Sequence, residues 1–268
     1  MPPGRCILHW RTSMTTTTRI QVPERTAWAA LVLLACPTVV SAEAGCRGAE
    51  AILGAARAAV QRGDLAAAER AYATVQTSHP SCAEAFFELG MLYDRAQQPG
   101  KAAPQFERVV ALTPNNPQAW DYLALSLEPL GEFERAEQAY KKGLEVNRGP
   151  QFDYFLDYNF GRFLMKRNRL EEAAAHLDRA VALAPHTRAV YYERAKLREK
   201  LGRYQQARQD AEKALSLPDP AGIILDLQVY YQLARIYSRL GEKDLAAKYR
   251  KLAETSKVPL ASRMLGGR

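Results

Sequence analysis

The chain repeats itself with a period of 34 residues, and that period decides what it can fold into. Residues 83–116, AEAFFELGMLYDRAQQPGKAAPQFERVVALTPNN, read as two amphipathic helices joined by a turn of Gly-Pro type. Phe86, Leu89, Gly90 and Tyr93 fall at helical spacing on one face of the first helix. Ala102, Phe106 and Val109 do the same in the second, and Pro114 ends it. A unit this short cannot bury its apolar stripe alone, so it must stack on copies of itself.

The template slides along the chain. Residues 49–82 carry Gly63, Asp64, Ala68, Tyr72 and Pro80 at the same places, and residues 117–150 carry Trp120, Leu123, Ala124, Gly131, Ala136, Tyr140 and Gly143. Gln151 to Asp153 then precede residues 154–187, with Phe160, Gly161, Ala173, Ala180 and Pro185. Residues 188–221 follow with Tyr191, Ala195, Gly202, Tyr204, Ala207 and Ala214. After an insertion from Gly222 to Asp226, residues 227–260 carry Tyr230, Leu233, Ala234, Tyr237, Gly241, Ala246 and Ala253. Residues 43–48 are a short linker before the first unit, and residues 261–268 are a tail.

With aromatics, Leu-Gly or Leu-Ala pairs, Ala and Pro recurring at these spacings, the chain resembles the tetratricopeptide repeats. The resemblance implies an all-α, right-handed superhelical solenoid of six helix-turn-helix units. Small residues such as Gly90, Gly161, Ala124, Ala195 and Ala234 sit where two helices cross closely, and overfilling such a place costs about 1–3 kcal/mol. The chain departs from the pattern at Asp157, which replaces an aromatic, and at Arg194, which replaces Leu. Pro129 should end or kink its helix, and Pro104 is tolerated only in the first turn of its helix. With Arg148-Gly149-Pro150 these features weaken the junction of the third and fourth units, where a hinge is expected. No capping helix follows the last unit, whose outer face is left to Val258 and Leu260 or to a partner.

The first 42 residues read as a secretory signal: Arg19 and Arg25 lead into an apolar run from Ala27 to Cys36, with Val40-Ser41-Ala42 as the cleavage site. Counted from Met14 the signal has an ordinary length, so Met14 is expected to be the true start. Leu33-Leu34-Ala35-Cys36 also resembles a lipobox, in which Cys36 would be lipidated. Cleavage after Ala42 and lipidation of Cys36 both stay open. Cys46 and Cys82 remain in either case, and in stacked units the two helix starts they precede are neighbours. An oxidising compartment would permit a disulfide between them, adding roughly 3–4 kcal/mol for a loop of this size; two buried thiols are the alternative.

No metalloprotease, CxxC, nucleophile-elbow or phosphate-loop pattern is present, so no enzyme, cofactor or metal site is expected. His79 and His186 flank turns and His176 sits in a helix; all three read as surface or turn histidines. The resemblance implies that the first helices line a concave groove. There the fourth unit presents Phe155, Tyr158, Arg162 and Lys166, the fifth Tyr192, Lys196 and Lys200, and the sixth Gln228, Tyr231, Arg235 and Arg239. Each row is a tyrosine followed by cations one and two turns on, so three rows would make a basic, tyrosine-lined trough. A solvated basic face is the bland alternative. The first three units present Leu53, Arg57, Phe87, Met91, Asp121 and Leu125, a lining fitted to an apolar segment. Residues 83–150 hold 7 basic and 10 acidic side chains, whereas residues 154–257 hold 20 and 13.

These features point to a non-catalytic, exported scaffold of the bacterial envelope, in the periplasm or on the periplasmic face of the outer membrane. Its partner would be a protein or peptide with an acidic segment. No nucleic acid is expected, and contact with a membrane would come only through a lipid anchor or the partner. The alternatives are an outer-membrane lipoprotein that helps assemble a secretin, pilus or cell-wall complex, and a docking or regulatory subunit of an enzyme. The pilotins of type IV pili are similar in placing six such repeats behind a lipobox.

Overall fold

The computed structural model describes residues 45–147, 153–219 and 222–256, all within one compact body, Val40–Arg268. The leader, Cys36, the Arg148-Gly149-Pro150 junction and the tail from Lys257 lie outside the described residues. Twelve α-helices and no strand occur among the described residues. They are α1 Glu50–Gln61, α2 Leu65–Ser78, α3 Ala83–Arg95, α4 Pro99–Leu112, α5 Pro117–Leu127 and α6 Phe133–Val146. Then come α7 Asp153–Lys166, α8 Leu170–Leu183, α9 Arg188–Lys200, α10 Tyr204–Ser216, α11 Asp226–Arg239 and α12 Lys243–Thr255. Consecutive helices form six hairpins, each packed on the next. The body is an all-α repeat solenoid. The first helices α5, α7, α9 and α11 also touch one another in turn.

One backbone feature sets every hairpin. The fifteenth residue of each unit is left-handed: Gly63 at φ 75°, Gln97 at 55°, Gly131 at 78°, Asn168 at 60°, Gly202 at 71° and Gly241 at 81°. Four units use glycine, which alone takes this conformation without a Cβ penalty. The second unit does not turn on its Pro-Gly pair as the sequence suggests. Pro99 is the first residue of α4, where its missing N–H is no loss, and Gln97 makes the turn.

Pro104 also departs from expectation, lying inside α4 and beyond its first turn. It removes the bond to the Gly100 carbonyl, but Gly100 is exposed, so water can satisfy that oxygen. Pro129 acts as expected, since α5 stops at Leu127 and a 3₁₀ turn follows over Glu128–Leu130.

The helix crossings are as close as the small residues imply. A Cβ on Gly90 would sit 2.8 Å from the Phe106 ring, and one on Gly161 would sit 2.8 Å from Leu177. Cys46 and Cys82 are joined by a disulfide with Cα atoms 4.5 Å apart, which ties the segment before α1 to the start of α3.

The core does not divide where the sequence suggests. One apolar cluster runs from Cys46 through the third and fourth units to Leu177 and takes in Leu197 of the fifth, with Tyr140 stacked 5.2 Å from Phe160. A second cluster serves the fifth and sixth units, from Ala195 to Ala246. Between them lies a small patch of Ala180, Val181 and Val190.

The turn geometry gives a direct test. Replacing Gln97 by Gly relieves a left-handed residue and should raise stability by up to about 1 kcal/mol. The check is the denaturant midpoint at unchanged slope; a lowered midpoint would contradict it.

Candidate functional site

The first helices present the predicted rows, and the structure changes what the rows are. Tyr158 stands under Arg162 with the guanidinium 5.3 Å from the ring, and Tyr192 under Lys196 at 5.5 Å. Burial pushes the Tyr158 hydroxyl up to about 12, so it stays neutral. Phe155 and Tyr231 are exposed by 46% and 36%, enough to offer their rings to another chain.

The cations are mostly engaged within the protein. Lys196 reaches buried Glu193 at 3.0 Å, and Arg162 approaches the same carboxylate at 3.8 Å. Arg235 grips Glu199 with two bonds of 3.0 Å, which hold its guanidinium more firmly protonated than usual. Lys166 bonds Glu128 at 2.7 Å, and Glu128 also accepts the Tyr140 hydroxyl at 2.6 Å. The trough as read from the sequence is therefore largely neutralised. The cations of the rows with no carboxylate within 4.0 Å among the described residues are Lys200 and Arg239. Gln228 caps α11 by accepting the Leu225 amide at 2.8 Å.

Two adjoining hollows open around these cations. One, of about 500 Å³, lies between α9, α11 and α12 and includes Tyr231, Arg235, Arg239 and Arg250, with Glu199 and Glu254. The other, of about 280 Å³, includes Lys196, Lys200, Tyr204 and Arg239. Arg235, Arg239 and Glu199 border both, so the two form one groove.

A further groove of about 460 Å³ lies at the first two units, lined by Val60, Tyr72, Phe87, Met91 and Leu92 among others. Arg57 spans it, bonded to Glu88 at 2.8 Å and Glu84 at 2.6 Å. Phe87 packs edge-on to Phe106 and Tyr122. Leu53, expected in the lining, is instead in the core at 2% exposure. Leu125 is half-buried.

One rule joins neighbouring first helices, and the sequence reading missed it. The sixth residue of a unit contacts the fifth or ninth residue of the unit before. Glu88 meets Arg57 at 2.8 Å, Tyr122 meets Phe87 with centroids 5.5 Å apart, and Glu193 meets Arg162 at 3.8 Å. Gln232 donates to the Tyr192 carbonyl at 3.3 Å, and Asn159 donates to both Asp121 oxygens at 3.1 and 2.9 Å. The signal was available as polar residues recurring at the sixth place, beside the fifth and ninth places assigned to a partner.

The pattern's two departures are compensated. Buried Asp157 is 2.6 Å from His176 Nδ1 and 2.9 Å from Arg179. His176 is therefore no surface histidine; its ring also lies 4.6 Å from that of Phe160. Arg194 bonds Asp210 at 2.7 Å and Asp178 at 2.8 Å, and Arg198 bonds Asp210 at 2.7 Å. Among the described residues, no group of three or more acidic, His or Cys side chains is arranged to hold a metal ion.

The tetratricopeptide repeat pattern matches residues 53–117, 87–151 and 158–222, and a second pattern of the same description matches residues 227–254. The chain belongs to the tetratricopeptide repeat family. Solved structures with this fold include PilW, described as a widely conserved type IV pilus biogenesis factor. It is 18% identical with a TM-score of 0.68, over 78% of this chain and 94% of that one. Pseudomonas aeruginosa pilF is 18% identical with a TM-score of 0.64, over 82% and 93%. YrrB, described as a tetratricopeptide repeat protein with an unusual peptide-binding site, is 15% identical with a TM-score of 0.53, over 68% and 90%. At these identities the likeness is one of fold. Among the described residues, no helix is long and apolar enough to cross a membrane.

Asp121, where two repeats meet, is 7% exposed, and burial pushes its carboxyl up to about 7. The Asn159 amide pulls it partly back, and nearby Glu128 adds to the rise. The folded carboxyl thus titrates above its unfolded value of 3.8. Its contribution to stability is fully present below about pH 4 and is lost as pH rises to about 7, an effect of roughly 4 kcal/mol. Asp121→Asn should flatten the pH dependence of unfolding over that window and stabilise the protein near pH 8. Urea titrations across the window would reveal an unchanged slope if this is wrong.

Proposed function

We propose that this protein is a non-catalytic scaffold that receives an acidic segment of a partner protein on the first-helix face of its fifth and sixth repeats. The observation that carries the reading is the groove around Lys200, Arg239 and Arg250, floored by the Arg235–Glu199 pair and flanked by exposed Tyr231. A positive field in a recess speeds the arrival of an acidic chain, and tyrosine adds contact area at low entropy cost. The Arg235 side chain of the Arg235–Glu199 pair is 57% exposed, so the pair holds its geometry at little net gain, and a partner carboxylate can share the guanidinium. Exported localisation rests on the leader and the joined Cys46–Cys82 pair, since such bonds persist in oxidising compartments.

Lys196 and Arg235 are poor positions for a test, because reversing either sets it against an internal carboxylate. Lys200→Glu with Arg239→Glu leaves the internal pairs intact. A fluorescent glutamate-rich peptide should bind the parent protein in a salt-sensitive manner, and the double variant should bind roughly tenfold or more weakly. Equal binding by both proteins would remove the groove as the site.

A second reading is favoured by Cys36 following Leu-Leu-Ala and by the fold shared with two pilus proteins. In it the same scaffold is held at the outer membrane by a lipid on Cys36 and helps assemble an envelope machine. Mass spectrometry of the mature N-terminus separates the two: an acylated Cys36 selects the anchored form, and Glu43 as first residue selects the soluble one.

A further inference from the structure

Four carboxylates are buried among the described residues: Asp121, Asp157, Glu193 and Asp210. Three of them have cationic neighbours. Asp157 has His176 and Arg179, Glu193 has Lys196 and Arg162, and Asp210 has Arg194 and Arg198. Asp121 has no Lys, Arg or His within 4.0 Å among the described residues. A single amide, Asn159 Nδ2, straddles both its oxygens. A carboxylate can accept about four hydrogen bonds, so Asp121 is short of donors as well as of counter-charge. A buried charge left in this state is costly, and proteins usually pair it.

Asp121 also borders a cavity of about 110 Å³ that is otherwise lined by Pro117, Gln118, Tyr122, Phe155 and Leu156. This is far below the roughly 300–1,000 Å³ of small-molecule sites, and it suits one side chain. Two walls are aromatic, and one of them, Phe155, is 46% exposed at the rim.

We propose that this cavity is a specificity pocket for a lysine side chain of the bound partner, with Asp121 supplying the counter-charge and Tyr122 and Phe155 covering the methylene stem. Lysine fits better than arginine. A guanidinium fork needs both carboxylate oxygens in its own plane, and Asn159 already occupies them, whereas an ammonium is a compact charge that needs one open lone pair. The aromatic faces add a cation–π attraction once the ammonium leaves water. The pocket rests on the reading that the first-helix face receives a chain segment, and it adds a basic residue to a segment otherwise read as acidic. The two sites lie on different repeats and are tested with different probes.

The charged and titratable groups around Asp121 are Glu128, which is held by Lys166 and Tyr140, then Tyr122, with Asp94 and Arg95 beyond it. None supplies a counter-charge to Asp121 in the folded chain. An arriving ammonium should therefore bind best where the carboxyl is ionised.

The test uses two free probes, N-acetyl-lysine N-methylamide and its neutral counterpart N-acetyl-norleucine N-methylamide, titrated into the whole protein and followed by amide chemical shifts. Near pH 8 the lysine probe should bind about tenfold more tightly than the norleucine probe, with shifts centred on α5 and the start of α7. The preference should shrink several-fold near pH 5.5 and vanish in Asp121→Asn, which keeps an acceptor for Asn159. Phe155→Ala, a change at an exposed ring, should weaken both probes. Lys200→Glu should leave the preference intact, which separates failure here from failure of the acidic groove. Equal affinity of the two probes, binding of neither, or a lysine preference that survives Asp121→Asn would each overturn the assignment.

Discussion

At every junction a side chain at the sixth place links neighbouring first helices, and the exposed first-helix face depends on that contact. Each hairpin closes on itself through its own turn and crossing, but a hairpin alone has nothing to fix its rotation against the next. The sixth residue of each unit does this by reaching back to the unit before, as an acid in Glu88 and Glu193, an amide in Asn159 and Gln232, and a ring in Tyr122. Because these side chains lie beside the fifth and ninth places, the same contacts decide which face residues are already satisfied. Stacking thus takes up atoms that a partner on this face would otherwise meet.

The two halves of the stack solve their packing differently. At the twenty-fourth place the first four units have Tyr72, Phe106, Tyr140 and Leu177, all buried, with Phe106 against Gly90 and Leu177 against Gly161 of the facing helix. The fifth unit has Ala211 there and the sixth has exposed Arg250. With the large side chain gone, the fifth unit leans on the Arg194, Arg198, Asp178 and Asp210 network, and the sixth on Tyr237 stacked 5.5 Å from Tyr249. An ion network desolvates charge and gains less than apolar filling, but it is directional and fixes geometry. This is why the apolar core divides near the fifth unit rather than at the irregular junction before the fourth, where Tyr140 and Phe160 keep it whole.

How much was legible follows from the range of each interaction. The turns, the helix crossings and the unit count are local and periodic, so the sequence showed them in residues such as Gly63, Gly90 and Ala124. The left-handed role of Gln97 was hidden, because Gln carries no turn signal there except by register, whereas Asn168 is a residue type that favours this conformation and could have been read. The pairing of the groove cations was hidden for a different reason. Glu199 and Arg235 are 36 residues apart, about one repeat, so their contact appears only when adjacent units are aligned by place. Asp157 looked like a defect because its partners His176 and Arg179 lie on the other helix of the hairpin, where spacing along a single helix gives no sign of them.

Charge counting along α9 explains why the open cations collect where they do. That helix has five basic residues, Arg188, Arg194, Lys196, Arg198 and Lys200, against two acids, Glu193 and Glu199. Glu193 is taken by Lys196 and Arg162, and Glu199 by Arg235. Arg194 and Arg198 are drawn to Asp178 and Asp210 on the second helices, and Arg188 to Asp226 and two backbone carbonyls. Both acids of α9 are then committed, and Lys200 is the remainder. Arg239 is likewise left over on α11, where Arg235 takes Glu199 and Glu254 only shares the hollow. In the fifth and sixth units structural demand thus consumes charge in the middle of the row and leaves it at the row's end, one turn beyond the paired cation, whereas in the fourth the end cation Lys166 is held by Glu128. The surplus lies in line from one repeat to the next, the arrangement an extended acidic chain would need to meet more than one of them at once.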